Sequence, residues 1–441
     1  MRSTSFTLHV TCGLFIFAAV ACETGNVKDD PVNSSGGGGS GAGTASVVDP
    51  MCGVEATVDS TPTYAEVVAP IIMKNCANCH RDGGIAPFTL LTYEETKLLA
   101  GLIKDRTTAR EMPPFNPNNC GHCNTFQDAR WLTPEEIAIL AAWADAGAPS
   151  GDLAKAPSPP APPQGLTEAN ATWDMGVAYT PDAKLADDYR CFLVDAQTAT
   201  DKFLTGFEVL PGDARVVHHV IAYTLDSDAA QTQAEALDAQ DPTPGYRCFG
   251  GAEVASRFTV GWAPGGGPTR FPAGTGLRVP GGRKIVMQVH YNLASGALPD
   301  QTKIKVNLVD KVDKEATISQ VGTSNIFLPP GQPLVEVSHE ETIPSQVPTV
   351  TIWGVAPHMH GAGKTMRVTT QSGGQSQCLI DVTNWDFHWQ SFSMYETPLK
   401  ASGGDLVKLT CGYDTTGRDA VTTFGEGTED EMCIAFFYVT L

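Results

Sequence analysis

The residues able to do chemistry in this chain gather in a few short motifs. Cys76-Ala77-Asn78-Cys79-His80 sets two thiols and an imidazole in the spacing C-x-x-C-H. At that spacing the thiols can add to the two vinyl groups of a haem, and the adjacent imidazole can ligate its iron. Half of a zinc ribbon, or a redox-active Cys pair, is the alternative. No second zinc-type Cys pair with His lies at a matching distance. Cys120-Gly121-His122-Cys123 is the only rival half, and its loop setting suggests a disulfide or a capped turn. For the second axial iron ligand the candidate is Met112, in Arg110-Glu111-Met112-Pro113-Pro114, where a thioether would raise the reduction potential. Met73 competes for that role and reads as core.

Five more His and one Met form a second constellation. His218 and His219 are adjacent in Val216-Val217-His218-His219-Val220, His290 lies in Met287-Gln288-Val289-His290-Tyr291-Asn292, and His358-Met359-His360 is H-x-H. Adjacent strand residues point to opposite faces, so His218 and His219 can share one ion only at a strand edge or a bulge. On a strand, H-x-H puts both imidazoles on one face with about 6–7 Å between Cα atoms, which suits two ligands on one ion. Met432 precedes Cys433 on what reads as the last strand. A lone His in a β sandwich is usually a surface or satisfied polar residue. Here only His9, His122, His339 and His388 fall outside the motifs. His388, among Trp385, Phe387 and Trp389, reads as aromatic core packing before pocket lining. Imidazole with thioether selects copper, and soft sulfur favours Cu(I). The candidate metal ligands are therefore His218, His219, His290, His358, His360 and Met432, with His80 and Met112 on the haem iron.

These motifs need elements to hold them. The chain has 441 residues, more than one ordinary domain. Apolar residues recur at helical spacing in 64–73, 92–103 and 134–146, and Thr133-Pro134-Glu135-Glu136 is a helix start with a cap, a first-turn Pro and acids at the positive end of the dipole. After Ala156–Gln164, a stiff Pro-rich linker, the texture changes. Short β-branched and aromatic runs at 216–223, 284–291, 303–309, 349–355, 364–370, 406–409 and 435–439 are punctuated by Gly, Pro, Asn and Asp. The expected fold is multidomain: a small all-α cytochrome c-like domain followed by two all-β antiparallel sandwich (jelly-roll-like) domains. The expected boundaries are a leader over 1–22, a Gly/Ser-rich linker over 23–60, the helical domain over 61–150, the Pro-rich linker over 151–170, and β domains over 171–308 and 309–441.

Charge and cysteine place the chain in a compartment. A net charge of -20 argues against nucleic acid or an anionic membrane face as partner. Twelve Cys suit an oxidising compartment. Met1-Arg2, the apolar run Cys12–Val20 and Ala21-Cys22 read as an export signal. Small residues before Cys22 resemble a bacterial lipobox, which would acylate Cys22 and anchor the protein in the periplasm or on the outer membrane and cell surface. A plain signal peptidase site near Ala21 is the alternative. No other stretch is long and apolar enough to cross a membrane as a helix.

Two resemblances extend this reading. Residues 61–150 resemble small bacterial cytochrome c modules, in which Met-Pro-Pro follows C-x-x-C-H and a Trp-x-x-x-Gly helix ends the domain, here Trp143 to Gly147. Residues 172–441 resemble the copper type II, ascorbate-dependent monooxygenases, the family of peptidylglycine α-hydroxylating and dopamine β-monooxygenases. That resemblance implies two β sandwiches, a three-His copper on His218, His219 and His290, and a second copper on His358, His360 and Met432. His358, His360 and Met432 would be catalytic, activating O2 for hydroxylation of a substrate C–H bond. The three-His copper would store and deliver the second electron. The resemblance also implies disulfides Cys411–Cys433 and Cys191–Cys248, and it matches Gln288. Ala356 and Phe436 depart from the Arg and Tyr of peptide-amidating members, so a peptide with a free glycine carboxylate fits poorly and an apolar or aromatic substrate fits better. Cys52, Cys120, Cys123 and Cys378 are left with three possible pairings.

Together these point to a monooxygenase holding two copper ions and one covalent c-type haem. It would act on a small organic substrate and O2, with electrons from an external ascorbate-like or protein donor passing through the haem. The haem module could instead dock elsewhere, with the donor acting on copper directly. A non-catalytic copper and haem electron-transfer or copper-binding lipoprotein is the alternative function. A tethered binding protein whose fold outlived its chemistry is a third, disfavoured by the complete ligand sets.

Overall fold

The structure, a computed structural model, describes residues 45–441. The leader, the lipobox at Cys22 and the Gly/Ser-rich run lie outside the described residues.

The helical region is built on the expected segments. A single π turn, Tyr64–Val68, runs into Ala69–Asn75; Tyr93–Leu98, Ala100–Thr108 and Pro134–Asp145 follow. Thr92 with Glu95, and Thr133 with Glu136, form reciprocal capping boxes that satisfy backbone N–H groups at two helix starts. Tyr64, Val68, Ile72, Leu90, Ile103, Ile137, Leu140 and Trp143 make the core of this region. The expected linker over 23–60 ends earlier than its composition suggests. Ala45–Val48 pairs antiparallel with Glu55–Val58, and the hairpin packs on the helix Pro134–Asp145. Ala56 is buried, Val47 packs against the helical core, and an ion pair joins buried Asp49 to buried Arg110.

The rest is mostly β, with a strand at each of the seven expected runs and further strands, among them Asp187–Asp195, Lys202–Leu210, Lys314–Thr323 and Ser393–Ala401, outside them. One nine-stranded sheet runs through both halves, with Asp187–Asp195, Val217–Leu225, Lys284–Asn292 and two neighbours forming a five-stranded sheet and Val335–Thr342, Gly363–Ser372, Gln375–Val382 and Leu406–Tyr413 a four-stranded one. Phe192, Val220, Ala222, Met287 and Val289 of the five-stranded sheet meet Leu204, Phe207, Val279 and Ile304 of the large sheet in one core. Val368, Leu379, Val407 and Leu409 of the four-stranded sheet meet Ile352, Val355 and Phe437 in another. The two sandwiches are not separate. Thr275–Val279 pairs in parallel with Lys314–Thr323, so the large sheet is continuous across the 308/309 boundary. The last strand, Cys433–Thr440, serves both cores, with Ala435, Phe437 and Val439 in the second and Tyr438 in the first. That alternation is what a strand shared by two cores must show.

Two features escaped the sequence pattern. Ser227 caps the helix Asp228–Gln240, which lays Ala230 and Ala234 against Leu225 and Tyr246 on the outer face of the five-stranded sheet. The helical domain is also not held by its linker alone. Cys52 pairs with Cys120, and Cys123 with Cys378, so Cys123 ties the helical domain to the C-terminal β half. Phe126 is buried in the second β core beside Tyr395, the Asn118 N–H donates to the Asp381 carbonyl at 2.7 Å, and the Gln127 N–H donates to the Met394 carbonyl at 2.8 Å. The apolar rings of this segment find their burial on the β half rather than among the helices. The Pro-rich linker folds back too, its Pro160 carbonyl accepting from Arg81 at 2.5 Å.

Candidate metal centre

His219 and His290 face each other across two paired strands, and the register slips there: His290 sits opposite His219, but Tyr291 sits opposite Val217. His218 is the extra residue of a β-bulge, the device that lets both adjacent imidazoles reach one side. The ligand atoms of His218, His219 and His290 lie within 4.8 Å of one another. Asp187, at the edge of the neighbouring strand, accepts from His290 Nε2 at 2.8 Å and from Asn292 Nδ2 at 3.1 Å. That leaves His290 Nδ1 free, 3.3 Å from His219 Nδ1. His218 Nδ1 is buried with no partner among the described residues. A buried polar nitrogen without a partner is costly, and a metal ion held among these three converging imidazoles would satisfy it. Tyr189 stacks flat on His290, with centroids 4.1 Å apart.

The second set is arranged by the same logic. His358 ends the strand Val350–His358, and His360 lies just beyond it, so the H-x-H motif is half strand and half loop. Met359 between them is fully buried in the second core, and the two rings stand 5.2 Å apart. His358 Nδ1 donates to Gln390 Oε1 at 2.5 Å, and His360 Nδ1 donates to the Asp430 carbonyl at 3.0 Å. Both Nε2 atoms are therefore left for a ligand, with the tautomers set by the partners of Nδ1. Met432 is buried, and its N–H and those of His360 and Ala362 all donate to the Glu431 carboxyl. Glu431 thus joins ligand residues far apart in the chain. Phe387 lies between the two sets, 5.1 Å from the His218 ring and 5.7 Å from the His360 ring. His388 is exposed and paired with Asp386 at 3.1 Å, outside the aromatic packing expected of it.

Burial, followed by the charge of neighbouring His, pushes His218 and His358 down to about 4 and lowers His219 and His360 as well. Neutral imidazoles are what metal binding requires. In the unfolded chain His titrates near ~6.5. A depressed folded value means stability that is full above that point and lost as pH falls toward about 4. The Tm of metal-free protein is expected to fall across that window, and metal-loaded protein to fall less. A profile unchanged by His218→Gln and His358→Gln would assign the transition to other groups. Asp187→Ala is expected to weaken metal binding at the three-His set by roughly 10–100-fold in a chelator competition.

The haem motif is part helix end, part loop. Cys76 and Cys79 are left unpaired among the described residues, while the eight other described Cys form four disulfides. His80 Nδ1 donates to the Phe88 carbonyl at 3.2 Å, leaving Nε2 for a ligand. A redox-active pair carries a lowered thiol, but burial pushes Cys76 up to about 12. Two unpaired thiols and an imidazole with one nitrogen open are the donor types a covalent haem would use. Met73 is buried in the core and Met112 is 38% exposed.

Asp187, Gln390, Glu431 and Phe387 were not singled out from sequence. Only Glu431 left a trace, an acid set directly before an apolar strand. The disulfides Cys191–Cys248 and Cys411–Cys433 form as the resemblance implied. Gln288 is buried, with Nε2 at 3.3 Å from the Gly251 carbonyl.

The β part of the chain is similar in sequence to known proteins. Residues 174–297 match the copper type II ascorbate-dependent monooxygenase N-terminal domain, and residues 314–440 match its C-terminal domain. The chain is 27% identical over 244 residues to DBH-like monooxygenase protein 1 of Gallus gallus, covering 50% of this chain and 38% of that protein. It is 24% identical over 249 residues to tyramine beta-hydroxylase of Caenorhabditis briggsae, covering 52% and 40%. It is 30% identical over 193 residues to peptidyl-glycine alpha-amidating monooxygenase B of Xenopus laevis, covering 40% and 21%. The chain thus spans less than half the length of these curated relatives. Both domain matches end outside the helical region and between them take in every candidate copper ligand, so the chain belongs to the copper type II ascorbate-dependent monooxygenase family.

Proposed function

We propose that this protein is a copper-dependent monooxygenase that hydroxylates a C–H bond of a small organic molecule with O2, its electrons reaching copper through a fused c-type haem. The observation that carries the reading is the pair of imidazole sets: the ligand atoms of His218, His219 and His290 lie within 4.8 Å of one another, and the tied-down Nδ1 atoms of His358 and His360 leave Nε2 of each open. His218, His219 and His290 would hold one copper, and His358, His360 and Met432 the other. Copper at these sets supplies one-electron chemistry and the activation of O2. Asp187 and Gln390 fix ring orientation and tautomer, and Glu431 fixes the loop between His360 and Met432. Phe436 stacks on Phe258 at 5.3 Å and lies 6.4 Å from the His358 ring. With Ala356 beside it, this wall offers no cation for a carboxylate, which favours an apolar or aromatic substrate. Cys76, Cys79 and His80 would hold the haem, with Met112 as its second axial ligand. Export and anchoring at Cys22 in the periplasm or on the cell surface complete the proposal.

The test is metal and haem content of the exported protein, then reduction by dithionite and exposure to O2. One covalent haem, two coppers and substrate-dependent O2 consumption are expected. Haem without copper, or haem reoxidation indifferent to Met432→Ala, would leave a cytochrome on a β scaffold. Two coppers with no substrate-dependent O2 consumption would favour an electron-transfer protein.

A further inference from the structure

The helical region meets both imidazole sets at a single loop, residues 385–390. Asn116 is buried and holds this loop by its backbone. Its Nδ2 donates to the Asp386 and Trp389 carbonyls at 3.1 Å each, and its Oδ1 accepts from the Asp386 N–H at 2.8 Å. The loop then touches three of the five candidate copper His, His218, His358 and His360. Trp385 Nε1 donates to the His360 carbonyl at 3.2 Å, Gln390 accepts from His358, and Phe387 lies between His218 and His360. On its far side the Trp389 ring sits 5.4 Å from the Arg130 guanidinium. It also packs on Gly265, at positive φ, where a side-chain carbon has no room. Arg130 lies two residues before Leu132, and Cys76 of the C-x-x-C-H motif packs against the core that contains Leu132. The helical region that carries the C-x-x-C-H motif thus docks through Asn116 and Arg130 on the loop that carries Phe387 and Trp389, and the docking is pinned by the Cys123–Cys378 disulfide.

We infer that the loop 385–390 is the junction through which electrons pass from the C-x-x-C-H module to the coppers, with the Arg130–Trp389 contact as its crossing point. This rests on the haem reading above. The step is balanced: one electron leaves ferrous haem and reduces one Cu(II) to Cu(I), and an external one-electron donor re-reduces the haem. The fixed docking makes transfer internal to one molecule, with no need for the linker to bring the partners together.

The test uses exported holoprotein without O2, with both coppers as Cu(II) and the haem flash-reduced. Haem reoxidation and loss of the Cu(II) electron-spin signal are followed together. In the native protein their rate is expected to be independent of protein concentration. In Trp389→Leu it should slow on the order of tenfold or more, while copper content, the Cu(II) spectrum and direct reduction of copper by ascorbate stay as they were. Arg130→Gln, at the periphery of the contact, should slow it in the same sense and serves if Trp389→Leu fails to fold. Native rates in the folded variants would overturn the route and leave the haem reading standing. A concentration-dependent native rate would also overturn it, by placing the transfer between molecules. Absence of covalent haem by pyridine haemochrome would overturn both together.

Discussion

Met432→Leu is expected to fold, to keep the copper of His218, His219 and His290, and to lose substrate-dependent O2 consumption by roughly a thousandfold, or about 4 kcal/mol of barrier. Met432 is buried, beside the Cys411–Cys433 disulfide and one residue from Glu431. Leu nearly conserves its volume, a swap that costs less than about 1.5 kcal/mol in a core. The polarizable sulfur is what disappears, and with it the ligand that favours Cu(I). Met432→Ala confounds the two effects, because emptying a buried Met site costs about 2–5 kcal/mol by itself. Copper counted by atomic absorption should fall from two per chain toward one in Met432→Leu, with chelator resistance at the three-His set unchanged. Native O2 consumption in that variant would remove Met432 from the ligand set and with it the division of labour between the two centres.

How much of this was legible in the sequence depends on the range of the interaction. Seven strands of the β halves were legible because period-two burial is written locally, while strands such as Asp187–Asp195 and Ser393–Ala401 were not read. The irregularity at His218 was legible as either a strand edge or a bulge, and the register slip makes it a bulge. The ligand residues themselves were legible because their type and spacing are unusual. What held them was not. Gln390 reaches His358 from the loop before the neighbouring strand, and Asp187 reaches His290 across a strand pair, and neither contact is encoded near the residue. The docking of the helical region was hidden for a related reason. Asn116, Cys123 and Phe126 lie in a stretch without periodicity, whose partners are more than two hundred and fifty positions away in the chain. The Ala-rich helix Asp228–Gln240 was missed because only Ala230 and Ala234 are buried along it, too little to show a helical apolar stripe.

Glu431→Ala is expected to be the most damaging single change in the second half that removes no ligand. The carboxyl is fully buried. Oε2 accepts from the N–H groups of His360 at 2.8 Å and Met432 at 3.3 Å, and Oε1 accepts from Ala362 at 2.6 Å. Removing the group orphans three backbone donors, each worth about 1–3 kcal/mol when buried. Against a total stability of about 5–15 kcal/mol, that is enough to threaten the fold. Glu431→Gln sorts the contributions. Its amide oxygen can keep the two donors on Oε2, but its NH2 then faces the Ala362 N–H, so one bond is lost rather than three. Urea denaturation should therefore rank native, Gln and Ala in falling order, and copper at the second set should follow the same order while the three-His set is spared. Burial also pushes the Glu431 carboxyl up to about 7, against the pull of its backbone donors. An unfolded Glu titrates near ~4.3, so the folded state holds this proton more tightly. The contribution is full below that value and is lost as pH rises through about 7, and Glu431→Gln, which cannot ionise, should lack that decline. An Ala variant as stable as the native protein, with its second copper intact, would mean that the strand ends alone set the distance between His360 and Met432. The three converging N–H groups argue otherwise, because a backbone that could hold that turn unaided would have no need to bury a carboxyl inside it.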